Sequence, residues 1–396
     1  MKTIVFCADG TWNGPGQADS DDKTALTTNV FRLFINLDGH DTPETALLAN
    51  EQERVLSGDN GPVQCAKYLH GVGDSDNFLV KALGGTVGAG LITRIVRGYT
   101  YISRNYQPGD RIFIVGFSRG AYTARGLAGM IAAKGLLDAR KNNLDDKTNA
   151  YRLGSAVWYA YRRAAVQANI DLFGRLQETV LDLPHFLALP PGNDQLISAP
   201  IEAVAVWDTV GALGIPEFTV SAARVDAFQF ADTVLNAKVA HGRHAIAVDE
   251  QRADFTPTLW DADPRIVQVL FPGAHSDVGG GYDTVGTDSG LSDCSLVWMT
   301  RELAALGVKF AAPARYLPTP QPLAVGHQPW LTSPWNVLPR RPRVFPTGLC
   351  LAQCLIDRYH GDTAIGQSGM LVAAYRPGNL SDYLGDADPV GGIAVV

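Results

Sequence analysis

The sequence lacks any apolar run long enough to span a bilayer. Its longest weakly polar stretch, Ala82 to Val96, is rich in glycine and is broken by Arg94. The short apolar run after Met1 and Lys2 ends at Asp9, too early for a signal-peptide core, and no cleavage site follows. It reads as a first strand, and the expected location is the cytoplasm of the producing cell. A Lys/Arg-rich run is also missing, and the formal net charge is −7, so the electrostatic footprint of a nucleic-acid binder is absent. Charged residues make up only 18% against 46% hydrophobic, which leaves no compositional sign of disorder and ample apolar material for one core. Cysteine is scarce: five are scattered along the chain, an odd set that suits a reducing compartment better than a disulfide framework. Cys350 and Cys354 are spaced to share a helical face, but no second Cys/His pair lies nearby to complete a zinc site. With neither an internal repeat nor a low-complexity linker, residues 1–396 read as a single domain.

What is present is alternation. Thr3–Phe6, Arg111–Val115, Ile201–Val206 and Ile266–Phe271 are short β-branched runs of the kind found in buried parallel strands. Helical spacing follows two of them, over Gly120–Leu137 and Leu291–Leu306, and strand-turn-helix units in series indicate an α/β protein. Residues 141–200 read as a helical, cap-like insertion with an amphipathic helix near Tyr151–Gln167. Residues 311–346, dense in proline and carrying Trp330 and Trp335, read as an extended surface segment that begins a C-terminal wrap over 311–396. A further helix is predicted across Thr347–Tyr359. The core is then residues 1–140 and 200–310.

The strongest local signal is Gly116-Phe117-Ser118-Arg119-Gly120, a G-x-S-x-G between a predicted strand and a predicted helix. That setting makes Ser118 a nucleophile and the fold α/β-hydrolase-like, with a mostly parallel central sheet flanked by helices. A serine hydroxyl needs a base, and the base needs a carboxylate to fix its tautomer. Of eight histidines, His275 alone follows a predicted strand end in a glycine-rich loop, His275-Ser276-Asp277-Val278-Gly279-Gly280-Gly281. Asp208, closing the run Ala203–Trp207, completes the order Ser, Asp, His. Asp277, Asp261 and Asp263 compete for the acid's role. The oxyanion donors expected are the amide of Arg119 and that of Gly10 or Thr11 in the first strand's loop, where Asp9 and Asn13 equally well only stabilise the turn.

Two rivals arise from the same residues. Asp9-Gly10-Thr11 supplies half of a D-x-D-G-T phosphatase signature, but Cys7 stands where the nucleophilic carboxylate belongs. A metal site from Asp9, His275 and Asp277 is the other. The segment Gly84–Gly90 lacks the Lys-Ser/Thr of a phosphate-binding loop.

Asp9-Gly10-Thr11-Trp12-Asn13, Thr28-Asn29-Val30, Gly71-Val72-Gly73, the stretch Gly116–Arg125, Val206–Gly211 and His275–Tyr282 together resemble, in order, the catalytic domain of type VI secretion phospholipase effectors. The resemblance covers about Lys2 to Leu306. It implies a triad of Ser118, Asp208 and His275 and hydrolysis of fatty-acyl esters of phospholipids; the acyl-enzyme route needs no cofactor, and without a membrane span any contact with membrane is expected to be peripheral. For an effector it further implies export by a type VI-like system and a delivery or immunity partner. A small-molecule carboxylesterase is the alternative within the class. A catalytically inactive binding domain is the alternative outside it.

Overall fold

The structure, a computed structural model, describes residues 1–10, 27–45, 51–71, 87–166, 190–210, 233–284, 286–333, 335–337, 339–366, 371–372, 374–384 and 395–396. In chain order the elements are β1 (Thr3–Ala8), α1 (Asn29–Asn36), β2 (His40–Asp41), β3 (Glu51–Gly58), β4 (Gly61–Leu69), α2 (Val87–Asn105), β5 (Arg111–Phe117), α3 (Arg119–Lys134), β6 (Leu136–Leu137) and α4 (Lys147–Val166). There follow β7 (Leu196–Ile197), β8 (Ile201–Trp207), β9 (Val239–Ala247), β10 (Ile266–Phe271), α5 (His275–Gly279), α6 (Gly290–Ala305), β11 (Val325–Gly326), β12 (Cys350–Leu351), α7 (Gln353–His360), β13 (Ala364–Gly366), β14 (Leu371–Val372) and α8 (Gly378–Leu384).

Nine strands form the central sheet in the order β12-β10-β9-β8-β5-β1-β4-β3-β2. From β12 to β4 every pairing is parallel, while β3 and β2 close one edge antiparallel. Strand side chains alternate between faces, and here both faces are covered. Ile4, Phe6 and Ala8 pack with α2, α3 and α4, whereas Val5 and Cys7 pack with α1, α6 and α7. Burial on both sides is why β1 reads as a continuous apolar run rather than as an alternating one.

The helix expected near Tyr151 is α4, and it lies within the flanking layer. A methyl group on Gly154 would stand 2.9 Å from Thr100 Cγ2 and 3.0 Å from Val96 Cγ1, so α4 meets α2 at a glycine contact. Trp158 and Tyr159 are buried there. Residues 167–189 of the expected insertion, Phe186 among them, lie outside the described residues. The helix expected across Thr347–Tyr359 starts only at Gln353. Leu349 and Leu351 are buried in alternation, and the chain there pairs with β10 (Val269 with Cys350, Leu270 with Leu351) before it turns into α7. Cys350 and Cys354 therefore sit on a strand and a helix and share no helical face; all five cysteines are free thiols. Among the described residues no helix is long and apolar enough to cross a membrane.

Candidate active site

Parallel strands deliver whatever follows them to one edge of a sheet. Ser118 follows β5, Asp208 follows β8, and His275 opens α5 just past β10. The Ser118 amide donates to Trp207 O at 3.1 Å and the Asp208 amide to Ala245 O at 2.7 Å, which ties both residues to the neighbouring strand ends. They are also the two non-glycine residues with positive φ among those described, 56° for Ser118 and 34° for Asp208. Such backbone is costly and persists where its surroundings enforce it.

Around Ser118 the enforcement is visible. A methyl on Gly120 would lie 2.5 Å from Asp9 O and closer still to Ala8 O, and one on Gly116 would lie 2.6 Å from the Gly120 carbonyl carbon. The first turn of α3 thus rests against the backbone of β1, and only glycine at both positions permits the sharp turn. Gly10 abuts the serine: a methyl there would be 3.2 Å from Ser118 Cβ.

The structure brings Asp208 and His275 together, with Nδ1 2.5 Å from Oδ2. Both are buried, and the imidazole is held between the rings of Phe117 at 4.5 Å and Phe255 at 5.0 Å. Phe117 is in turn seated on Gly279, where a methyl would overlap its ring. Burial alone would raise the Asp208 carboxyl, yet Arg343 and His275 outweigh it and hold the group well below the usual carboxylate range. Burial pushes His275 below its ordinary value, partly offset by its hydrogen bond to Asp208. A neutral imidazole whose Nδ1–H is given to a carboxylate offers Nε2 as a base.

Asp277, the competitor for the acid's role, is engaged elsewhere. Its Oδ1 meets His327 Nδ1 at 2.6 Å, and its Oδ2 accepts from the amides of Ala274 and His327, both at 2.9 Å. It caps the helix that carries His275, and the His327 ring stacks on Tyr282 at 3.6 Å. Asp263 pairs with Arg265, and Asp261 accepts from Thr233.

The first loop holds a closed polar knot. Asp9, fully buried, accepts from Tyr68 Oη at 2.6 Å, from Thr28 Oγ1 at 2.8 Å and from the Gly10 amide at 2.6 Å. Burial pushes its carboxyl up to about 6 in spite of these bonds. The Gly10 amide, one expected oxyanion donor, therefore points at Asp9. Thr11, the other candidate in that loop, lies outside the described residues. Arg119 opens α3, where helix amides lack an intrahelical acceptor. The Thr28-Asn29 pair links the motifs: Thr28 caps α1 while it bonds Asp9, and Asn29 Nδ2 donates to Val278 O and Ser292 O. Among the described residues no three His, Cys, Asp or Glu side chains are grouped to hold a metal.

Sequence reasoning missed three participants. Arg343 grips Asp208 with both terminal nitrogens, at 2.6 Å and 2.9 Å. Glu250 Oε2 accepts the His275 amide at 3.2 Å, and His327 holds Asp277. Arg343 sits in Arg340-Arg341-Pro342-Arg343, and nothing in that spacing separates it from its exposed neighbours. Of the aromatics in the C-terminal segment, Trp330 is buried and Trp335 packs edge-on against Phe255 at 5.5 Å.

The model of the type VI secretion system phospholipase effector Tle1-like catalytic domain matches residues 2–302. An uncharacterized protein of Saccharomyces cerevisiae is 26% identical over 270 residues, which span 68% of this chain and 34% of that protein. An uncharacterized protein from Pseudomonas aeruginosa superposes with a TM-score of 0.39 at 18% identity, covering 78% of this chain and 46% of its own. The Tle1 effector bound to the VgrG spike from the type 6 secretion system gives a TM-score of 0.36 at 18% identity, over 72% of this chain and 52% of its own. The chain thus spans about a third to a half of the length of these proteins. Through residues 2–302 the chain belongs to the Tle1-like phospholipase effector catalytic-domain family.

Proposed function

We propose that the chain is a serine hydrolase of the α/β-hydrolase fold that cleaves fatty-acyl esters of phospholipids through an acyl-enzyme on Ser118. The observation that carries this reading is the 2.5 Å contact between His275 Nδ1 and Asp208, made at the sheet edge where the strained Ser118 turn also ends. His275 Nε2 takes the Ser118 proton as Oγ attacks the ester carbonyl. Charge on the resulting oxyanion is met by the Arg119 amide at the N-terminus of α3. His275 then gives the proton to the departing alcohol, and water, activated by the same nitrogen, releases the fatty acid and restores Ser118. Asp208 holds the imidazole in the required tautomer throughout.

Residues 1–396 are read as one domain, in which the C-terminal segment reaches the site through Arg343. Phe255, edge-on to His275, and Trp335, edge-on to Phe255, offer apolar surface beside the site that fits an acyl chain. Membership in an effector family supports synthesis in the cytoplasm, export by a type VI-like machine and an encounter with a delivery or immunity partner.

The test supplies purified protein with mixed phospholipid vesicles and, separately, with water-soluble short-chain esters, and measures free fatty acid and lysophospholipid. Release of both lipid products faster than hydrolysis of soluble esters is the expected result. Rapid turnover of short esters with intact vesicle lipid makes the chain a small-molecule carboxylesterase, and inertness toward both makes it a binding domain.

A further inference from the structure

The acid of the site is shared between two nitrogen bases. Asp208 Oδ2 faces both His275 Nδ1 at 2.5 Å and Arg343 Nη2 at 2.9 Å, while Oδ1 accepts from Arg343 Nη1 at 2.6 Å and from the Ala247 amide at 3.0 Å. Arg343 spends its remaining contacts on backbone, Nη1 on Ala247 O at 2.7 Å and Nη2 on Phe255 O at 2.6 Å. The guanidinium thus meets the carboxylate at two points, a grip for which the arginine fork is suited. Its segment is docked as well: the Arg341 amide donates to Gln251 O at 2.7 Å and the Ala253 amide to Pro339 O at 3.1 Å. Arg343 is 5% exposed, so little water screens it. It lies beyond residue 302, where the family match ends.

We propose that Arg343 is a positioning residue of this site, which holds the Asp208 carboxylate in the plane His275 needs and sets the pH at which His275 becomes a competent base. The proposal rests on the reading of Ser118, Asp208 and His275 as a triad. The physical reason is competition for one negative charge. Protonated His275 would be stabilised by Asp208, but the Arg343 cation already neutralises that carboxylate. The imidazolium is therefore disfavoured, and His275 stays a free base to lower pH. Other charged or titratable groups lie around the pair: Glu250, which accepts the His275 amide and pairs with Arg252 in the loop after β9, and His244 of β9, which is influenced by Asp208 and by Arg125 of α3, while Asp277 of α5 is bonded to the Ala274 amide and to His327. Arg343→Lys keeps a cation at this position, so a shift seen in Arg343→Gln and absent from Arg343→Lys reports the Arg343 charge.

Wild type, Arg343→Gln and Arg343→Lys decide the matter, with Ser118→Ala as the control for the triad. The His275 Nδ1–H resonance and the imidazole carbon shifts are followed by NMR against pH, which requires no substrate, and the rate of fluorophosphonate labelling is followed over the same range. In Arg343→Gln the pKa of His275 rises by about one unit and the acid limb of labelling moves with it. In Arg343→Lys, which keeps the charge but loses the two-point grip, the pKa stays near wild type while labelling slows about tenfold or more. An unchanged His275 pKa in a folded Arg343→Gln protein overturns the electrostatic role. A wild-type labelling rate in Arg343→Lys overturns the positioning role, and this arm stands if the glutamine variant does not fold. Labelling that persists in Ser118→Ala would instead refute the triad reading, and the NMR titration remains informative in that case.

Discussion

Replacing Gly120 with alanine tests the claim that Ser118 is locked by backbone contact. The added methyl would lie 2.5 Å from Asp9 O and nearer to Ala8 O, whereas carbon and carbonyl oxygen ordinarily approach to about 3.3 Å. The first turn of α3 and the end of β1 must then part by about 1 Å. Neither can yield easily, because β1 pairs on both sides, with β4 and β5, and is buried along its length. Overpacking of this kind costs about 1–3 kcal/mol, and contact with backbone rather than with side chain places Gly120 at the upper end. With Ser118 as the proposed nucleophile, a misplacement of about 1 Å there lowers reaction rates by about a hundredfold. Gly129→Ala, in the same helix, is the control. Its methyl would meet Tyr161 Oη at 2.6 Å, the movable tip of a side chain, and alanine brings back about 1 kcal/mol of helix propensity. The assay is the urea midpoint together with the rate of fluorophosphonate labelling. Gly120→Ala should lose both and Gly129→Ala should stay close to wild type. A Gly120→Ala protein with wild-type midpoint and labelling would refute the reasoning.

Three further outcomes follow from the site. Ser118→Ala should abolish fluorophosphonate labelling and lower turnover by about three orders of magnitude or more while circular dichroism stays unchanged; residual labelling mapped to another serine would reassign the nucleophile. Asp208→Asn should damage turnover far more than Asp277→Asn, since Asp208 meets the His275 ring and Asp277 meets His327; the reverse order, measured on the same ester, would transfer the acid's role. Asp9, pushed up to about 6 by burial, favours its neutral form in the fold, so its contribution is complete below about pH 4 and is lost as pH rises through about 6. Asp249, also raised to about 6, acts over the same window. Buried His244 and His275, both held below their ordinary value, pull the other way over this range, so the readout is the difference: the urea midpoint of wild type relative to that of Asp9→Asn should fall between pH 5 and pH 7.5, and a difference that does not change with pH would count against the buried neutral carboxyl.

What could be read from the sequence was local. β1, β5, β8 and β10 announced themselves because strands buried on both faces need unbroken apolar runs, and the helix after Ser118 because small residues recur at helical spacing. The hairpin of β3 and β4 escaped notice. Its first strand opens Glu51-Gln52-Glu53-Arg54, polar residues of which Glu51 and Glu53 pair with Lys67 on the neighbouring strand and Arg54 pairs with Asp41 of β2. The turn signal was nevertheless present in Asn60-Gly61, where Gly61 has φ 107°. β12 was hidden in a predicted helix, because two paired residues are too few to show a period.

The same distinction divides the site. Ser118, Asp208 and His275 each stand at the end of a strand, so a chain-order argument could nominate them one at a time. Arg343 and His327 come from a proline-rich segment whose course no periodicity fixes, and they act only through partners 135 and 50 residues away. A buried arginine is written in the same letters as the exposed Arg340 and Arg341 beside it. What distinguishes it is a carboxylate that has left water and must be neutralised, and that need arises only once β8 and β10 have brought Asp208 to the sheet edge. The residues proposed to carry the chemistry are therefore legible in strand-end motifs, and those proposed to tune it become visible only where tertiary packing creates a charge to be met.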